Sequence, residues 1–331
     1  LQLLPVNDTS MTATRADSYP YRSISVFALH PIYLRISALA AQLPEEIADL
    51  LATRTETLNA LAMVDYETVI DLKRDLIGRI FRLEKAQLLA NTDFRNFYRE
   101  NAFWLKPYAA FCLLRDRFGT ADTSAWPGYE HIGAEQVEAL TGESASHFDT
   151  VAEVYFTQYH LHRQLAEAAA YARALGVALK GDIPIGVSPC SADVWQSPEL
   201  FNRNAQAGAP PDDFSETGQN WSMPTYNWPR MAADGYQWWR ARIRQMGKYF
   251  DAVRIDHILG FFRIWEIPTD MLQGLMGRFN PALPLSADAL AAQGLHIRRN
   301  VTRFCRPFLR HSMLAERFGE LTAEIIAAYC V

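Results

Sequence analysis

The sequence predicts an α/β protein, and three observations carry that prediction. A long amphipathic run from about Asp149 stops at Gly176 and gives way to the strand-like Val177-Ala178-Leu179-Lys180-Gly181-Asp182-Ile183. A second helical pattern opens at Asp234-Gly235 and feeds Ala252-Val253-Arg254-Ile255-Asp256-His257, a strand closed soon after by Gly260. Both strands end in charged residues, Asp182 in one and Arg254 with Asp256 in the other, and strand C-termini are where α/β folds gather their chemistry.

The chain has 331 residues, 49% hydrophobic and 12% aromatic, enough to bury a large core in one big domain or two. A net charge of -5 argues against a nucleic-acid backbone as the main partner. The apolar runs are too short and interrupted to span a membrane and no leader pattern opens the chain, so no membrane partner and a cytoplasmic location are expected. Cys112, Cys190, Cys305 and Cys330 stand far apart without a C-x-x-C pair and read as free thiols; neither a metal nor a cofactor is expected. The chain starts at Leu1 rather than methionine, inside an apolar run, and reads as a piece of a longer polypeptide.

In chain order, Leu1-Gln2-Leu3-Leu4-Pro5 resembles strand interior, and Asn7-Asp8-Thr9-Ser10 then Asp17-Ser18-Tyr19-Pro20-Tyr21 form a loop long enough to be functional or mobile. Pro44-Glu45-Glu46 starts a helix with proline and acids in its first turn. Between Asp65 and Leu89, Val69, Leu72, Leu76, Ile80 and Leu83 form a core-facing stripe, with Lys73, Arg74, Arg79, Arg82 and Lys85 expected on the solvated side. Two further helices are expected near 91–100 and 104–117, then a turn-rich loop broken at Trp126-Pro127-Gly128. Asp149 is the expected N-cap of the long helix that Gly176 terminates. His160 and His162 lie two apart, share no helical face, and read as ordinary solvent or core histidines.

The passage from Ala207 to Ser215 is rich in glycine and proline and reads as loop, leading to Gly218-Gln219-Asn220-Trp221, with Tyr226 and Trp228 as anchors. Tyr236, Trp239, Ile243, Met246 and Phe250 recur as a packing face. In the buried strand that follows, alternation sends Arg254 and Asp256 to one face and Val253 and Ile255 to the other. A guanidinium beside a carboxylate favours the charged form, which suits a nucleophile or an oxocarbenium stabiliser better than a proton donor. A structural ion pair explains the R-x-D-H string alone equally well. After Pro268 short helices and loops are expected, and Arg298-Arg299-Asn300-Val301-Thr302-Arg303-Phe304 reads as a surface or interdomain segment.

The string from Arg254 to Trp265-Glu266-Ile267-Pro268 resembles the nucleophile segment of the amylomaltase (4-alpha-glucanotransferase) family. Matches to Asp17-Ser18-Tyr19-Pro20-Tyr21, Ser25-Val26-Phe27-Ala28-Leu29-His30-Pro31, Gly181-Asp182-Ile183-Pro184 and Ser191-Ala192-Asp193-Val194-Trp195 extend the resemblance along the chain. It implies a (β/α)8 TIM-type barrel, incomplete in this chain, with a helical insertion over about 40–145, so that residues 1–331 form part of a glucanotransferase catalytic domain. It also implies retaining transfer of α-1,4-glucan segments between maltodextrins, with maltose, maltodextrin or branched α-glucan as substrate. Asp256 takes the nucleophile's place, Asp182 that of the sugar-hydroxyl acceptor, and Tyr21 rather than Tyr19 that of a glucan-contacting tyrosine. Trp221 matches an aromatic plate, followed here by Ser222 where the family pattern has glycine, and Arg254 and His257 flank the nucleophile as binding residues. Asp193 either lines the site or orients its loop. The family's acid/base motif has no match before Val331, and Glu266 belongs to the W-E-I-P element, so the chain is expected to be inactive alone. The alternatives are an α-glucan hydrolase of the alpha-amylase type and a non-catalytic glucan-binding module.

Overall fold

Three stretches of backbone run side by side in the computed structural model, which describes residues 1–297 and 309–330. The first begins at Leu1, and the others are β1 (Lys180–Ile183) and β4 (Ala252–Ile255). Lys180 N–H donates to Leu1 O at 2.8 Å and Leu3 N–H to Lys180 O at 2.9 Å, a parallel contact around Gln2. β1 and β4 are also parallel, with Asp182 opposite Arg254 and Ile183 opposite Ile255. Parallel neighbours need crossover connections, and the long excursions between these strands are that crossover material.

The first excursion is helical: α1 (Glu45–Asn59), α2 (Tyr66–Ala90), α3 (Thr92–Phe118), α4 (Ala134–Thr141) and α5 (Phe148–Ala174). α2 is capped by Asp65, whose Oδ1 accepts from Thr68 N–H at 3.1 Å. Its inward face corrects the expected stripe: Ile70, Ile77 and Phe81 join Leu76 and Ile80, while Leu83 is 61% exposed. Lys73 is not on the solvated side either, because its ammonium donates to the carbonyls of Ile32 and Leu34, the latter at 2.8 Å. The long butyl stem is covered while the charged tip finds backbone acceptors.

The helices expected near 91–100 and 104–117 are one helix, α3, which runs straight through the segment between them. Pro107 lies inside it and has no N–H for the carbonyl of Phe103 four residues back; Gln196 Nε2 donates to that carbonyl at 3.2 Å instead. α5 begins at Phe148, so Asp149 is in its first turn rather than at its cap, where it pairs with Lys85. Gly176 adopts φ +72°, as a left-handed helix terminator does. His162 Nδ1 meets the hydroxyl of Tyr249 at 2.8 Å and Arg173 Nε donates to Asp251 at 2.6 Å, tying α5 to the segment that enters β4.

Between β1 and β4 come α6 (Ala192–Gln196), β2 (Phe201–Ala209), β3 (Gln219–Tyr226), α7 (Trp228–Ala233) and α8 (Gln237–Met246). With β5 (Ile264–Pro268) and β6 (Arg278–Asn280), β2 and β3 form an antiparallel sheet in the order β3-β2-β5-β6. The expected loop from Ala207 to Ser215 takes in the end of β2, and neither β2 nor β3 was expected as a strand. Gly208 is the reason for both the loop signal and the strand: a Cβ there would sit 2.1 Å from the carbonyl oxygen of Gln219, so only glycine allows the strands this close. Irregular register around Asn202–Gln206 and Ala207–Gly208 further disrupts the alternation that marks a strand.

Two more expectations are corrected. On α8, Tyr236 and Ile243 are 44% and 50% exposed, and the buried face is Trp239, Arg242, Gln245 and Met246. Tyr236 has φ +60° and stands before the helix, which shifts the phase of the inward face. β4 is not a buried strand: Val253 packs partly against the core, but Ile255 is 40% exposed. Among the described residues β4 pairs only with β1, so its other edge carries no strand.

The described chain divides into two compact units, Leu1–Pro281 and Ala282–Val331. The second contains α9 (Ala287–Ala292), capped by Ser286, and two short helices, His311–Phe318 and Thr322–Tyr329, which meet where Thr322 hydroxyl donates to Gly319 and Leu314 carbonyls. The arginine-rich segment from Arg298 to Phe304, and Cys305, lie outside the described residues. Among the described residues no helix is long and apolar enough to cross a membrane.

Candidate active site

The parallel register sets Asp182 beside Arg254, and the chain's next step past β4 carries Asp256 to the same end. Arg254 joins the two carboxylates. Its Nη1 donates to both oxygens of Asp182, at 2.9 and 2.8 Å, and its Nη2 to Asp256 Oδ1 at 2.6 Å. Asp182 is 1% exposed, so this cation is what makes a buried charge tolerable there. The hydroxyl of Tyr21 adds a donor to Asp182 Oδ2 at 2.9 Å. Burial, followed by that hydrogen bond, raises the Tyr21 pKa, and the hydrogen bond to Asp182 raises that of Arg254. Among the described residues the second oxygen of Asp256 accepts no hydrogen bond, which leaves it available to an incoming group.

Opposite stands the start of β3. Trp221 Nε1 donates to Gln219 Oε1 at 3.0 Å, and its ring meets that of His257 edge-on, 4.8 Å between centroids at 79°. Two residues at this contact hold left-handed backbone, Ser222 at φ +55° and His257 at φ +48°. Such a conformation costs a side-chain-bearing residue about 1–2 kcal/mol. Ser222 therefore keeps a glycine-like path, helped by its N–H bond to Asn220 Oδ1 at 2.8 Å. Gly260 makes room for the imidazole, since a Cβ there would lie 2.7 Å from His257 Cδ2. Burial lowers the pKa of His257, against the pull of Asp256.

These walls enclose a cleft of about 530 Å³ that includes Tyr19, Tyr21, Pro184, Trp221, Asp256 and His257. A larger cavity of about 680 Å³, walled by Leu3, Leu29, Leu161 and Tyr171 among others, is mainly apolar and lacks the paired carboxylates, so size alone does not mark the site. The cleft combines a flat indole with the Asp256 carboxylate and with hydroxyls, the mix that a sugar's C–H faces and hydroxyls require.

The structure thus brings Tyr21, Asp182, Trp221, Arg254, Asp256 and His257 to one place. Gln219 and Asn220 also line the cleft and were missed; amides next to a tryptophan in a turn-rich passage give no signal of their own. Asp193 is elsewhere: its carboxylate accepts from Val26 N–H at 2.9 Å and Trp238 Nε1 at 3.3 Å, so it orients its loop. Glu266 is 7% exposed and accepts from the Thr225 hydroxyl at 2.6 Å, away from the residues that line the cleft. No group of side chains among the described residues has the makings of a metal site.

A family model described as 4-alpha-glucanotransferase matches residues 1–328. The chain belongs to the 4-alpha-glucanotransferase family. A 4-alpha-glucanotransferase of rice, Oryza sativa subsp. japonica, is 48% identical over 329 residues, covering 99% of this chain and 34% of the relative. One from Chlamydia muridarum is 33% identical over 295 residues, covering 86% of this chain and 52% of the relative. This family member therefore spans about a third of the rice relative's length and about half of the chlamydial one's. Its fold is similar to that of an amylomaltase from Streptococcus agalactiae solved in complex with acarbose, with a TM-score of 0.67 at 24% identity over 98% of this chain and 63% of the other. An amylomaltase from Corynebacterium glutamicum gives a TM-score of 0.66 at 23% identity, covering 89% of this chain and 40% of the other.

Proposed function

We propose that this chain is the nucleophile-bearing part of a 4-alpha-glucanotransferase and that its cleft binds α-1,4-glucans. The observation that carries the reading is the Arg254 fork, which ties Asp256 to the buried Asp182 in a cleft faced by Trp221. Asp256 attacks the anomeric carbon of the donor sugar with its free oxygen, forming a glucosyl ester as the glycosidic bond breaks. An acid/base carboxylic group, supplied from outside this cleft's described residues, protonates the departing oxygen. The same group then takes the proton of an acceptor sugar hydroxyl, which displaces Asp256 and restores the α-linkage. Glu266 is a poor candidate for that group, since it is committed to Thr225 inside the antiparallel sheet.

In this reading Tyr21 meets sugar hydroxyls while the enclosed Asp182, expected to accept them itself, braces Tyr21 and Arg254 from behind; Trp221 and His257 form the plate, and maltodextrins are the substrate class. The parallel set formed by the opening stretch around Gln2, β1 and β4 is part of a (β/α)8 barrel, with the helices over about 40–145 inserted in it. The free thiols of Cys112, Cys190 and Cys330 suit a reducing compartment such as the cytoplasm.

The test is incubation of the chain, and of the longest natural polypeptide that carries it, with maltotriose. Glucanotransferase action gives a ladder of longer and shorter maltodextrins that Asp256→Asn abolishes. Glucose and maltose without a ladder would mean hydrolysis, and binding without turnover in either protein would mean a glucan-binding module.

A further inference from the structure

Arg242 on α8 is 2% exposed and is not among the residues that line the cleft. Its guanidinium lies 4.7 Å from the Trp239 ring and 5.5 Å from that of Trp238. Nη2 donates to the carbonyl of Pro184 at 2.7 Å, and Nη1 to the hydroxyl of Tyr226 at 3.3 Å. Burial lowers the guanidinium's pKa, and the neighbouring Tyr226 and Asp193 work against it. An apolar side chain between the indoles would avoid that desolvation cost, so the polar contacts must explain the cation.

Each of those contacts reaches a wall of the cleft from behind. Pro184 lines the cleft two residues past Asp182. Pairing between β1 and β4 ends with Asp256 N–H to Ile183 O at 3.1 Å, and proline has no N–H to extend it. Arg242 supplies the donor that holds the next carbonyl. Tyr226 ends β3, the strand that carries Trp221. Asp193, the counter-charge, is 6% exposed and holds Val26, five residues past Tyr21.

We propose that Arg242 is a positioning residue: by holding the Pro184 carbonyl it fixes the turn after β1, and so aligns Asp182 with Arg254 and Tyr21. Only the glucan-binding arm of its test rests on the proposed function.

Arg242→Lys keeps the charge but cannot lie flat on the indoles while reaching two acceptors. Hydrogen exchange over residues 182–187 is expected to speed up about tenfold or more in this variant, with α2 and α3 exchanging as before. Calorimetry well below the melting temperature is expected to show maltoheptaose binding weakened about tenfold. Tyr226→Phe, which leaves the Pro184 bond intact, is expected to bind within about twofold of the unsubstituted chain.

Exchange that rises uniformly along the chain overturns the proposal, as does local exchange equal to that of the unsubstituted chain. A loss of binding in Tyr226→Phe as large as in Arg242→Lys overturns it too. If Arg242→Lys does not fold, Arg242→Gln is read in the same way; if neither folds, Arg242 is a scaffold residue and the proposal fails. Should the unsubstituted chain not bind maltoheptaose, the glucan reading falls while the exchange measurement alone decides the role of Arg242.

Discussion

Arg254 bonds both oxygens of Asp182 through one terminal nitrogen and Asp256 through the other, so the enclosed carboxylate and the one that lines the cleft share a single cation. Asp182 is 1% exposed while the Arg254 side chain is 41% exposed. The fork therefore has a dry side, which fixes its position, and a wet side, which a substrate can reach. In the proposed mechanism that asymmetry would let one residue serve both folding and chemistry.

Replacing the fork separates those two roles. Arg254→Lys retains a cation but not the planar reach to both carboxylates, and glucan transfer is expected to fall about a hundredfold, mostly in kcat. Arg254→Met leaves Asp182 with Tyr21 as its remaining side-chain donor. Unfolding free energy is then expected to drop by about 2 kcal/mol, less than for a fully enclosed pair. Steady-state kinetics and denaturant titration check the two effects.

Gly260 controls the plate opposite. In Gly260→Ala the new methyl would overlap His257 Cδ2 at 2.7 Å and Ile264 Cδ1 at 2.9 Å, pushing the imidazole out of its contact with Trp221. A stability loss of about 1–3 kcal/mol is expected, with weaker maltodextrin binding. Unchanged melting and binding would show that the His257 loop has slack.

Acid should weaken the fold. Burial pushes His160 and His162 each down to about 4, and lowers His30 in the same direction. Their unfolded counterparts titrate near about 6.5, so the unfolded chain takes up protons first as pH falls. The stability from keeping these rings neutral is thus lost from about pH 6.5 down to about 4. Asp193, pushed up to about 6 by burial, acts the other way, because the folded chain binds its proton first. More rings titrate over a wider interval, and the melting temperature is expected to fall between pH 7 and 4.5. His160→Met should flatten that fall, while a melting temperature that rises on acidification would contradict the assignment.

The parallel strand ends and their charges were legible because β1 and β4 follow helical patterns and show their polar residues at short, regular spacing. The β2–β3 ribbon was not, because Gly208, Pro224 and the bulges that let two strands approach are also the residues that mark loops. α3 was expected as two helices broken over 101–103, where the structure has continuous helix; the acceptor that Pro107 orphans is satisfied by Gln196, which is distant in sequence. The half-buried Lys73 and the buried Arg242 left no mark in the sequence, since their backbone acceptors belong to other elements and no local pattern points to a carbonyl. Asp182, Arg254 and Asp256 could be assigned to strand ends, but that one guanidinium serves both carboxylates is a fact of register.

The most direct test of Asp256 as nucleophile needs no acid/base group. A 5-fluoro-α-maltosyl fluoride carries a leaving group that departs as fluoride without protonation, and its ring fluorine slows breakdown of the ester that forms. The chain is incubated with this reagent, digested, and its peptides weighed by mass spectrometry. The expected result is one 5-fluoromaltosyl group on the peptide containing Asp256, absent from Asp256→Asn. A sugar adduct on any other carboxylate, or none in either this chain or the longest natural polypeptide that carries it, would contradict the account.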